Sequence, residues 1–158
     1  MVKPYRKYLY TLLSLALCPP LHAGAPAISQ AFGPESFQMF VAQKQSSILV
    51  FSARYCAHCP AVIRSLAKQR RQLPNPPQLV VVMIDELPTV TEKRSSYSDV
   101  DRLMVFQGNE IAIRFAVNPS WRGLTPFVTL MNQAGEVTYF NGEPPSTELR
   151  AWMDRAAR

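Results

Sequence analysis

The chain has 158 residues, 47% hydrophobic and 18% charged, which suits one ordinary domain with enough apolar mass for a core and excludes a disordered chain. Lys and Arg outnumber Asp and Glu 17 to 11, a net charge of +6, and the 3 cysteines are too few for a disulfide-stapled miniprotein yet odd in number. No Lys/Arg run with interleaved aromatics occurs, and Arg70-Arg71 reads as one pair on an ordinary helix face, so the composition argues against nucleic-acid binding.

The chain opens with Lys3, Arg6 and Lys7, runs through an apolar stretch from Tyr8 to Cys18 and breaks at Pro19-Pro20. The stretch is about half as long as a bilayer requires, so it predicts an export signal rather than a membrane span. Cleavage after Ala23 is preferred to cleavage after Ala25, because Pro26 would follow the latter. Residues 1–23 are therefore read as a signal peptide and 24–158 as one domain. An acylated Cys18 or an uncleaved N-terminal anchor is the weaker alternative, since Leu17 is not the small residue that a lipoprotein site prefers. Loss of the segment halves the net charge, discards Cys18 and leaves an even cysteine pair. In an oxidising compartment such a pair is redox-relevant.

Phe37, Phe40 and Val41 at helical spacing predict a short helix over 35–43. Ile48-Leu49-Val50-Phe51 reads as a buried strand, and the segment from Ser52 to Pro60 follows it directly. Val62, Ile63 and Leu66 form an apolar stripe after Pro60, with Arg64, Lys68, Arg70 and Arg71 on the other face. Pro74, Pro76 and Pro77 end that helix, and 79–84 is a second buried strand, so the whole is a βαβ unit with a parallel pair. Residues 87–97 read as polar and turn-rich. Ser98 with Asp101 resembles a capping box, predicting a helix that holds Val100, Leu103 and Met104. Another helix is expected over 110–116, closed by Asn118-Pro119. Strands at 126–131 and 137–140 flank the hairpin turn Asn132-Gln133-Ala134-Gly135, and Ser146 or Thr147 caps a last helix with Leu149, Trp152 and Met153 on one face.

The chemistry concentrates in Cys56-Ala57-His58-Cys59, placed where a buried strand turns into a helix. Unpaired N–H groups and the macrodipole at a helix start favour a thiolate, so Cys56 is the expected nucleophile. Cys59, further in, can attack a mixed disulfide on Cys56 and release the partner. His58 and Arg54 are nearby cations expected to lower the nucleophile's pKa, and His58 argues for a more oxidising pair than Gly-Pro would give. A purely structural disulfide is the bland alternative. Zinc lacks its four ligands, c-type haem needs a histidine where Pro60 stands, and no separate downstream histidine supports copper delivery. No metal and no cofactor is expected.

These residues, with Leu124-Thr125-Pro126 before a strand, Gly135 in the hairpin and Gly142 ahead of the last helix, resemble the thioredoxin superfamily, and within it the exported TlpA/ResA-like thiol-disulfide oxidoreductases. The resemblance runs from about Phe37 to the C-terminus. It implies an α/β thioredoxin-like fold: a central mixed sheet flanked by helices, with a central helical insertion between Ile84 and Glu110. It further implies that Pro126 is cis and that Thr125 and Pro126 pair with a substrate strand. Tyr55 stands where tryptophan is usual, Ala57-His58 is an oxidant's or isomerase's dipeptide, and Val50 aligns with the buried acid of thioredoxin. The proton acceptor for Cys59 is thus unassigned, and Glu86, Glu92, Asp99 and Asp101 read as solvated surface charges. The resemblance implies a periplasmic monomer exchanging disulfides with protein thiol or disulfide substrates, leaning to reductase and fed by a membrane-bound redox partner. The alternatives are an oxidase or isomerase of the same fold and a non-catalytic adaptor or holdase in an envelope assembly.

Overall fold

The computed structural model describes residues 30–156, so the expected signal segment 1–23 with Cys18 lies outside the described residues. The elements are β1 (Gln30–Phe32), α1 (Ser36–Ala42), β2 (Ser47–Ser52), α2 (Cys59–Arg70), β3 (Gln78–Met83), α3 (Val90–Ser96), β4 (Arg102–Phe106), α4 (Glu110–Val117), β5 (Phe127–Met131), β6 (Val137–Asn141) and α5 (Ser146–Ala156). They build the mixed sheet expected from the sequence, six strands in the order β1-β4-β3-β2-β5-β6. The β1, β4, β3 and β2 strands run parallel to one another, whereas β5 lies antiparallel to β2 and to β6.

Strand alternation divides the core in two. Ile48 and Val50 point with Leu79 and Val81 toward α2 and α5, where Ile63, Leu66, Leu149 and Trp152 cover them. Leu49 and Phe51 point the other way, against Phe37 and Phe40 of α1 and Ile113 and Val117 of α4. Every residue of β2 is buried, as an apolar run covered on both faces requires.

Three expectations change in the segment before and along β4. Residues 102–106 form a strand, not a helix: Leu103 packs on one face and Met104 on the other, a period of two. The capping box lies upstream, where Thr89 Oγ1 accepts from the Glu92 N–H and Glu92 Oε2 accepts from the Thr89 N–H, opening α3 in the stretch read as turns. Asp101 caps nothing; its carboxylate accepts from the Leu79 N–H at 2.7 Å and from the Arg70 guanidinium. The short β1, unforeseen in the sequence, pairs with β4 and seals Phe32 completely.

Candidate active site

Cys56 and Cys59 are joined by a disulfide with Cα atoms 5.5 Å apart. The turn that leaves β2 is closed by hydrogen bonds from Cys56 N to Ala53 O and from Cys59 N to Cys56 O. Helix α2 starts at Cys59, with His58 at the N-cap and Pro60 in the first turn, where a missing N–H costs nothing. Cys56 thus stands just ahead of the helix, partly exposed, while Cys59 is fully buried. Only the first sulfur is within reach of a partner.

Around them, Tyr55 is 74% exposed and His58 is exposed, without a side-chain bond to the helix start. Arg54 does not stand as a lone cation beside Cys56. Its guanidinium meets Glu86 at 2.5 Å and Glu92 at 3.5 Å, and its main-chain N–H donates to Asp85 Oδ2 at 2.8 Å. The Glu86 hydrogen bond and charge, with that of Glu92, raise the Arg54 pKa further above its usual range. The four carboxylates expected to be solvated do keep exposed surface, and each is also paired: Glu86 and Glu92 bind Arg54, Asp99 binds Arg71, and Asp101 binds the buried Arg70.

The Phe51–Phe127 pairing of β2 with β5 brings Pro126 to the sheet end where Ser52 leads into the cysteine turn. The Thr125–Pro126 bond is cis. The Pro126 carbonyl accepts from the N–H of Gly142, whose φ of 97° is a conformation that favours glycine. Thr125 makes no main-chain hydrogen bond among the described residues. Trp121 stacks on Phe127 at a ring separation of 4.7 Å and donates from Nε1 to the Leu124 carbonyl, fixing the loop ahead of Pro126. Leu124 is left 67% exposed.

Val50 is fully buried in apolar surroundings, so the position of thioredoxin's acid carries none. Sequence reasoning passed over two polar groups on that side of the sheet. Ser52 is fully buried. Tyr97 joins the same core; burial pushes its phenol pKa up, and a hydrogen bond with the Ser52 hydroxyl pulls against that rise. A serine closing an otherwise apolar strand was the available signal for the first. Among the described residues no cluster of three His, Cys, Asp or Glu could hold a metal, and no helix is long and apolar enough to cross a membrane.

No family model and no curated protein matches the chain. Solved structures do. A thioredoxin-family thiol:disulfide interchange protein from Chlorobium tepidum is 15% identical with a TM-score of 0.55, over 77% of this chain and 85% of that one. A secreted thiol-disulfide isomerase from Corynebacterium glutamicum is 12% identical with a TM-score of 0.53, over 72% and 70%. A secreted Mycobacterium tuberculosis disulfide oxidoreductase is 18% identical with a TM-score of 0.50, over 71% and 82%. At these identities the shared property is architecture, and the chain has the thioredoxin-like fold of those thiol-disulfide oxidoreductases.

Proposed function

We propose that the protein is an exported thiol-disulfide oxidoreductase that reduces disulfides in protein substrates through Cys56 and Cys59. The observation that carries this reading is the asymmetry of the pair: a reachable sulfur ahead of a helix start, joined to a buried sulfur in its first turn. In the reduced protein the Cys56 thiolate attacks one sulfur of a substrate disulfide, forming a mixed disulfide and expelling the other sulfur as a thiolate that takes up a proton. Cys59, on losing its proton, attacks Cys56 Sγ and expels the second substrate sulfur. The substrate gains two electrons and two protons, and the protein is left as the Cys56–Cys59 disulfide until a dithiol partner re-reduces it. The main chain of Thr125, unpaired among the described residues and next to the exposed Leu124, suits an extended substrate segment at this sheet end.

The reductant direction is supported by charge. Glu86 and Glu92 share the one guanidinium of Arg54 and Asp85 sits on the main-chain N–H of the same residue, an excess of carboxylates that opposes a thiolate on Cys56 and so disfavours the reduced form. Export is supported by the basic and apolar start of the sequence, and we assign the protein to the periplasm as a monomer served by a membrane-bound donor.

The test is disulfide reduction of a model protein substrate. Cys56→Ser should abolish it, whereas Cys59→Ser should accumulate mixed disulfides with partners in cells. Persistence of activity in Cys56→Ser, or failure of Cys59→Ser to trap any partner, would count against the reading. Binding of partners without turnover would favour an adaptor.

A further inference from the structure

We propose that Asp85 is a positioning residue for the exchange at Cys56, an inference that rests on the redox reading above. Parallel pairing of β2 with β3 ends as the Ile84 N–H donates to the Ser52 carbonyl at 2.9 Å. In a regular parallel ladder the next bond would run from the Arg54 N–H to the Ile84 carbonyl. The Asp85 carboxylate takes that N–H instead, at 2.8 Å.

This replacement has two consequences. The first is geometric. Arg54 lies between the buried Ala53 and the cysteine turn, so a charged acceptor on its N–H fixes where the chain departs from the sheet and hence where Cys56 stands relative to Cys59 and Thr125. The Arg54 side chain adds a second tie, because Glu86 follows Asp85 and Glu92 belongs to α3; loop, strand end and helix meet on one guanidinium. The second is electrostatic. Glu86 and Glu92 lie on the Arg54 guanidinium and offset its charge, whereas Asp85 brings a carboxylate to the main chain two residues before Cys56, and that negative charge raises the cost of a Cys56 thiolate.

The two consequences separate in two variants. Asp85→Asn keeps an acceptor for the Arg54 N–H and removes the charge, whereas Asp85→Ala removes both. Reduction of a model disulfide should slow about tenfold in Asp85→Ala and stay within about twofold of the natural protein in Asp85→Asn, because misplacing a reacting atom costs rate steeply. The pH midpoint for alkylation of reduced Cys56 should fall by about half a unit in Asp85→Asn. Equal rates in Asp85→Ala and the natural protein would overturn the proposal, as would Asp85→Asn slowing as much as Asp85→Ala. Should Asp85→Ala fail to fold, amide hydrogen exchange of the natural protein decides. The Arg54 amide should exchange at least tenfold more slowly than that of the exposed Tyr55 beside it, and equal exchange refutes the anchor. If the natural protein reduces disulfides no faster than Cys56→Ser, the redox reading fails, while alkylation and hydrogen exchange still judge the positioning of Cys56.

Discussion

Arg70 shows how far one side chain can depart from its local pattern. Helical spacing puts it on the polar face of α2, yet it is 8% exposed, bonded to Asp101 at 2.6 and 3.1 Å and to the carbonyls of Pro77 and Asp99 at 2.9 Å. Asp101 in turn holds the Leu79 N–H, so one pair joins the end of α2 to the starts of β3 and β4. No local pattern could reveal this, because the partners lie 31 residues apart. Arg70→Ala should lower stability by about 2 kcal/mol in chemical denaturation, below the ~3–5 kcal/mol of a fully buried pair because Asp101 keeps some water. Ser52 contributes in the same direction on a smaller scale. Its enclosed hydroxyl meets the phenol of the buried Tyr97, so Ser52→Ala should lower stability by about 1 kcal/mol in the same measurement.

Among the elements, α3 depends most on a single carboxylate. Glu92 serves the capping box with one oxygen and Arg54 with the other, and its pKa is lowered chiefly by the Thr89 N–H, then by the Thr89 hydroxyl, with help from Arg54. A lowered folded pKa contributes stability that is complete above the ordinary value of 4.5 and is lost as pH falls through the lower folded value. The protection of the α3 amides, measured against the unstructured exchange rate at each pH, should therefore fall on acidification below about pH 4.5, and Glu92→Gln should flatten that dependence. This region was also the least legible. Ser98 and Asp101 imitate the spacing of the true box at Thr89 and Glu92, and the five residues of β4 are too apolar and too few to announce their period. The three-residue β1 exists only because β4 offers it an edge, a partner far away in sequence. The βαβ unit around α2, the hairpin of β5 and β6 and the stripe on α5 were legible because each carries its own period and its own turn residues.

Over the whole molecule the site was read more fully than its surroundings. The cysteine pair stands out by residue type and Pro126 by the resemblance to the thioredoxin superfamily, whereas Asp85 acts through the main chain of Arg54 and leaves no mark in a spacing pattern. The disulfide itself ties the chemistry to the stability of the entire domain. With a sequence separation of 3 it closes so little chain that its constraint on the unfolded state lies at the low end of what such bonds supply. A thermodynamic cycle then applies: the oxidised and reduced forms differ in folding free energy by the amount that the folded protein favours the bond over a flexible Cys-x-x-Cys peptide. A domain built to give electrons away must favour its own disulfide, so it should unfold at a higher temperature when oxidised. Each ~30 mV by which the folded pair is the stronger reductant corresponds to about 1.4 kcal/mol of that difference. Two melting curves, one for each redox state, thus read the direction of electron flow without any substrate, and a reduced form that melts higher would make this protein an oxidant.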